Sequence, residues 1–292
     1  MGSIDRKFQY EAVTGYFMQD DPKTDPATFD YTKHNFGLIP RSYPSPPPPS
    51  TPQTQWQLFA AHLAHLTATA PPATAYKLLY LARHGEGEHN VAEALYGTKA
   101  WDDYWSKLTG DGTLFWDDAR LTPVGEGQAR DAGEFFRAQF AEQKMPVPGA
   151  WIASPLMRCL RTAELEWAEL GLEAFRPTIK ELAREVMGEH TCDRRSSRSV
   201  IHAAYPDWPI EEGFTEEDEL WRADHRETFA EHDVRTVRFL DQVFEGEGRE
   251  AGVLSLTSHS GAIASLMRVV GHREFRLGTG GMVPVLVKAT RL

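Results

Sequence analysis

Two patterns alternate along the chain: short unbroken apolar runs, and longer stretches in which apolar residues recur every three or four positions. Lys77 to Ala82 (KLLYLA) is an unbroken run, as expected for a strand buried on both faces of a parallel sheet. Ahead of it, Trp56, Phe59, Leu63 and Leu66 follow a spacing of 3, 4 and 3 from Gln53 onward, which puts them on one face of a helix. His62 and His65 then fall at the surface or edge of that helix. Thr122-Pro123 forms an N-cap and first-turn pair for a second helix, with Ala129, Ala132, Phe136 and Phe140 on its inner face. A strand at Ala150 to Ala153 leads into Ser154-Pro155, a further cap signal. Leu156, Leu160, Ala163, Trp167 and Leu170 follow as a helical stripe. A strand at Pro177 to Lys180, a polar helix within Thr215 to Phe244, a buried strand at Gly252 to Thr257, a helix bearing Ile263, Leu266, Met267 and Val270, and a last strand at Val283 to Lys288 complete the series. Strands alternating with helices predict a layered α/β fold with a mostly parallel sheet.

The first 52 residues stand apart from this series. Phe8, Tyr10, Tyr16, Phe17, Phe29, Tyr31, Phe36 and Tyr43 are too many aromatics for a solvated tail, so this N-terminal extension is expected to strap across the main body. Pro44 to Pro52 holds six prolines in nine residues, a stiff connector. The folded core is expected from residue 53.

A formal charge of −11 on 292 residues speaks against nucleic acid or an anionic membrane as partner, so any anionic substrate must meet a locally basic pocket. Cys159 and Cys192 lack zinc-type or CxxC spacing, which suits a reducing, cytoplasmic compartment. No apolar stretch nears the length of a membrane span.

Three expected strands deliver polar clusters at their carboxyl ends, where sheets of this kind bind ligands. The first runs into Arg83-His84-Gly85-Glu86-Gly87-Glu88-His89-Asn90, the second into Ser154-Pro155-Leu156-Met157-Arg158, and the fourth into Ser258-His259-Ser260-Gly261. Two arginines, two histidines and helix amino ends on one rim make an anion site, most naturally for phosphate. Gly85-Glu86-Gly87 falls short of a dinucleotide fingerprint, since Asn90 holds the third glycine position and two glutamates would repel a pyrophosphate. His84, Glu86, Glu88 and His89 also offer metal-ligand chemistry, against which stand the adjacent arginine and the absence of HExxH spacing. No metal and no cofactor are expected.

This ordered set resembles the histidine phosphatase superfamily, also called phosphoglycerate-mutase-like. The similarity is closer still to a fungal branch of mutase-like phosphatases, and it spans nearly the whole chain: Gly15-Tyr16-Phe17, Asn35 to Ile39, His89-Asn90, Tyr96-Gly97-Thr98, Trp101, LTPVG at 121–125 and Val283 to Lys288 all contribute. The resemblance implies a three-layer α/β/α sandwich over residues 53–292 and a phosphohistidine mechanism without metal. It makes His84 the nucleophile, with Arg83, Asn90, Arg158 and His259 holding the phosphate oxygens. Glu185 resembles the proton donor best, with Glu181 and Glu189 behind it. Two further segments are expected to shape the pocket. One is an aromatic insertion from Tyr96 to Trp116 that includes Trp101 and Trp105, a candidate lid. The other is a basic stretch whose Arg194 and Arg195 could take a second anionic group or neutralise nearby acids. The implied activity is a phosphomonoesterase acting on a small phosphate ester. A phosphoglycerate-type mutase, a diverged natural-product enzyme and an idle phospholigand-binding module are the alternatives.

Overall fold

The computed structural model describes residues 6–44, 52–246 and 250–292. The first half contains strand β1 (Phe8–Ala12), helix α1 (Gln55–Ala68), strand β2 (Thr74–Arg83) and helices α2 (Glu88–Tyr96), α3 (Thr98–Asp103) and α4 (Pro123–Ala138). The second half has strand β3 (Ala150–Ala153), helix α5 (Met157–Trp167), the short strand β4 (Thr178–Ile179), helices α6 (Arg198–Ala204) and α7 (Phe229–Glu245), strand β5 (Val253–Ser258), helix α8 (Ser260–Val270) and strand β6 (Met282–Arg291). The strands form one sheet in the order β1-β6-β2-β5-β3-β4. From β2 to β4 the pairing is parallel. β6 lies antiparallel to β2, and β1 antiparallel to β6.

Successive side chains of a strand point to opposite faces, and both faces of β2 are apolar. Leu79 and Leu81 enter a core with Phe239 and Leu240 of α7 and Ile263 and Leu266 of α8. Leu78 and Tyr80 enter the opposite core with Trp56 and Phe59 of α1 and Phe136 of α4. Helices on both sides of the sheet give a three-layer α/β/α sandwich. No helix among the described residues is long and apolar enough to cross a membrane.

The helix starts differ in one instructive place. Thr122 caps α4 as expected, its side chain accepting from the Gly125 N–H. α5 starts at Met157 rather than at the Ser154-Pro155 signal, and no side chain of its own cap residue serves it. Asp118 serves instead, its carboxylate accepting from the Met157 N–H at 2.9 Å. Ser154 is thereby left to pair with His259, 2.8 Å away.

The boundary expected at residue 53 does not divide the core. β1 belongs to the sheet, and Phe17 and Phe36 are fully buried beside Trp56 and Tyr80. The same extension corrects the placement of His62. Its ring is buried, lies 2.8 Å from the Tyr16 hydroxyl and stacks on Tyr43. Helical spacing reveals only the face turned to the sheet, whereas here a distant aromatic segment covers the other. Most of the proline-rich connector, residues 45–51, lies outside the described residues.

Replacing Phe17 by Ala should therefore lower the unfolding free energy by about 3–5 kcal/mol, the usual cost of emptying a buried phenylalanine site. Phe115→Ala, at an exposed ring, should cost under about 0.5 kcal/mol. Urea unfolding of both variants checks this. Equal effects would mean that the extension is not part of the core.

Candidate active site

The carboxyl ends of β2, β3 and β5 meet around His84, the first residue after β2, which is 2% exposed. Its Nδ1 lies 2.7 Å from the Gly85 carbonyl. A carbonyl oxygen only accepts, so Nδ1 carries the proton and Nε2 keeps its lone pair. That lone pair receives the Nε–H of Arg158 at 3.2 Å. Glycine is required at 85, since a Cβ there would stand 2.2 Å from the Gly125 carbonyl oxygen. The tight packing of this turn on the start of α4 thus fixes the tautomer of His84.

Arg158, on the first turn of α5, is 1% exposed. One of its terminal nitrogens donates to the Cys192 carbonyl, and the other to Asp193 Oδ1 at 2.9 Å. The second oxygen of Asp193 accepts from Arg226 at 2.8 Å. One buried carboxylate therefore holds two guanidiniums. Arg83 donates to the Leu277 carbonyl at 2.8 Å, while its buried Nε–H has no partner among the described residues. His259 leads into α8 and pairs through Nε2 with Ser154. The rings of His259 and His89 lie 5.1 and 5.4 Å from that of His84. Asn90 accepts from the Gly87 N–H at 3.0 Å, holding the start of α2. Arg83, His84, His89, Asn90, Arg158 and Glu185 all line one cavity of about 240 Å³.

Burial pushes the basicity of His84, His89 and His259 well below the ordinary imidazole value, and the Arg158 charge pushes it further. Asp193 is held below the usual carboxylate range because Arg226 and Arg158 outweigh its desolvation. The result is a set of neutral imidazoles beneath fixed positive charge, which suits a tetrahedral oxyanion. A cation is poorly served. Donor atoms of His190, Cys192 and Asp193 lie within 4.8 Å of one another, yet Asp193 already serves two arginines and burial keeps the Cys192 thiol protonated. Glu86 turns to the Thr122 hydroxyl and Glu88 to the Phe115 N–H, so the metal set offered by the sequence is not assembled.

A profile of the histidine phosphatase superfamily (branch 1) matches residues 79–278. The chain belongs to that superfamily. This histidine phosphatase is 46% identical, over 96% of its own length and 84% of the relative's, to a "probable phosphoglycerate mutase" of Arthroderma benhamiae. It is 40% identical to a protein of the same description from Saccharomyces cerevisiae, over 73% and 79% of the two chains. Among solved structures, a mycobacterial glucosyl-3-phosphoglycerate phosphatase aligns at 16% identity with a TM-score of 0.43, covering 73% of this chain and 91% of that one.

Of the three candidate acids, only Glu185 faces the cavity of the phosphatase. Its carboxylate accepts from the Gly261 and Val186 N–H groups, each at 3.0 Å, and a Cβ at Gly261 would stand 2.0 Å from it. Glu181 is tied to Arg184 and Arg195, and Glu189 lies near Lys107. Trp101 lines the cavity. Trp105 does not, being stacked on Tyr96 with ring centres 4.1 Å apart. The two arginines weighed for a second anion are placed elsewhere. Arg194 pairs with Asp117 at the surface, and Arg195 is buried against Glu181 and the carbonyls of residues 215–217. Each is thus paired with a nearby acid in the fold. Arg226 and Asp193 escaped sequence reading, whereas His89 entered it as part of the cluster after the first strand and as a possible metal ligand.

Nitrogen-15 spectra of the ring should show His84 as the neutral Nδ1–H tautomer from pH 7.5 down to 5.5. A ring titrating near pH 6.5 would contradict the geometry. His84, His89, His259 and likewise His232 have folded basicities depressed by burial, so these four take up protons near pH 6.5 only on unfolding. Each contributes up to about 1.4 kcal/mol of lost stability per pH unit below that point. Buried Glu166, pushed up to about 8 by desolvation, opposes them with a single proton. The urea midpoint should fall between pH 7.5 and 5.5, and a rise would count against neutral buried rings.

Proposed function

We propose that this histidine phosphatase is a metal-independent phosphomonoesterase that releases phosphate from a small phosphorylated metabolite through phospho-His84. The observation that carries the proposal is the lone pair of His84 Nε2, fixed by the Gly85 carbonyl and facing Arg158 at 3.2 Å. A neutral imidazole so held is a nucleophile at neutral pH. Nε2 attacks phosphorus, the ester P–O bond breaks, and its electron pair goes to the leaving oxygen, which takes a proton from Glu185. Arg83, Arg158, His259 and Asn90 hold the three non-bridging oxygens, the positioning and charge neutralisation that phosphoryl transfer chiefly needs. Water then gives its proton to Glu185 and attacks phosphorus. The P–N bond breaks, its pair returns to Nε2, and inorganic phosphate leaves.

The descriptions of the two fungal relatives favour a phosphoglycerate mutase as the second reading. Product separates the two. Phosphate release from simple esters should exceed interconversion of 2- and 3-phosphoglycerate and should persist after exhaustive chelation. Faster interconversion than release would reverse the assignment. Glu185→Gln should slow alkyl phosphate cleavage about 10²–10⁴-fold, the usual worth of general acid catalysis, while sparing the burst from p-nitrophenyl phosphate, whose leaving group needs no proton. Equal loss on both substrates would remove Glu185 from the donor role.

A further inference from the structure

A second cleft opens beside the phosphate site. Its volume is about 600 Å³, against about 240 Å³ around His84, and Arg83 and Ser260 line both. Glu185 stands at the join. Its carboxylate accepts from the Gly261 N–H at 3.0 Å and the Ser260 hydroxyl at 3.3 Å, and both of those residues line the larger cleft. A proton donor placed there meets the bridging oxygen of an ester whose phosphate lies on His84. Whatever that oxygen carries extends into the cleft.

The walls identify what fits. Val186, Phe229, Ile263, Ala264, Met267 and Phe275 present apolar surface. The rim arginines are already engaged, Arg268 with Asp233 at 2.7 Å and Arg276 with Glu274 at 2.6 Å. With Arg83 taken by the phosphate, a carboxylate on the leaving group would lose hydration and have to compete with Asp233 and Glu274 for a guanidinium. The cleft is also far roomier than a three-carbon acid needs. His232 also lines it, 1% exposed, with neither ring nitrogen hydrogen-bonded among the described residues. A buried neutral imidazole with one donor and one acceptor free suits a hydroxyl or ether oxygen.

We infer that the substrate's leaving alcohol is a neutral, largely apolar group, larger than glycerate and bearing a hydrogen-bonding oxygen, seated in this cleft with that oxygen on His232. The inference rests on the phosphomonoesterase reading of His84 and Glu185. It names the substrate class of that same site.

The test is a substrate series of ethyl, butyl, hexyl and 6-hydroxyhexyl phosphate with 3-phosphoglycerate, read as kcat/KM for phosphate release. From ethyl to hexyl the value should rise about 3- to 4-fold per methylene, the worth of each buried CH₂, and 3-phosphoglycerate should fall at or below ethyl phosphate. Ala264→Trp, with its fold checked by circular dichroism, should flatten the rise, and His232→Phe should abolish any preference for the hydroxylated chain. In His84→Ala, calorimetry should show the same dependence of binding on chain length without turnover. A flat series from an enzyme that still releases phosphate, or equal binding of ethyl and hexyl phosphate, overturns the cleft assignment and leaves the phosphatase reading standing. No phosphate from any ester overturns both.

Discussion

The bidentate grip of Asp193 on Arg158 and Arg226 is the constraint on which the site depends. A guanidinium as deeply buried as that of Arg158 is tolerated only against a carboxylate, and stripping a buried pair of one partner costs about 3–5 kcal/mol. With one bond from each terminal nitrogen fixed, to Asp193 and the Cys192 carbonyl, Arg158 is oriented so that its Nε–H meets His84 and its two remaining terminal N–H groups stay free for an oxyanion. The carboxylate therefore aims the cation as well as neutralising it. Behind it, Arg184 donates to Glu181, Asp218 and the Asp193 carbonyl. Arg195 donates to the same Glu181. This second network, itself buried, fixes the loop that carries both Asp193 and Glu185.

An acidic protein thus gathers three guanidiniums where its sheet ends. The chain carries −11 overall, while the cavity sets Arg83, Arg158 and Arg226 against Glu93, Asp102, Glu185 and Asp193, around His84 and His89, which burial keeps neutral. The buried Nε–H of Arg83 and Nδ1 of His89 find no partner among the described residues. Unsatisfied buried polar groups are costly, and a phosphate oxygen is the partner that would remove that cost at Arg83. Catalytic readiness here is electrostatic preorganisation: charge, dipole and lone pair are set before the substrate arrives.

The sheet and its helices were legible because their signals are local. KLLYLA announces a doubly buried strand, and Thr122-Pro123 announces a helix start, whatever surrounds them. His84, Arg158 and His259 were legible because each follows a strand, and the strand order brings those ends together. Arg226 and Asp193 come from stretches without periodicity, and only the folded loop unites them. Arg195 was ambiguous for the complementary reason: a basic cluster looks the same whether it faces a ligand or, as here, Glu181. His62 and the boundary at residue 53 went astray because β1, Phe17 and Tyr16 reach the core from far away in sequence. The Ser154 cap signal failed in the same way, when Asp118 supplied the cap from a distant loop.

In the proposed mechanism the Gly85 carbonyl holds the proton on His84 Nδ1 and so leaves the Nε2 lone pair to attack phosphorus. Rapid quenching of the turning-over enzyme into base, which preserves phosphohistidine, followed by mass spectrometry and phosphorus NMR, reports the modified atom directly. A single phosphoryl group on Nε2 of His84 is expected. A phosphoryl group on Nδ1 or on another residue, or steady turnover with no phosphoenzyme at all, would contradict it.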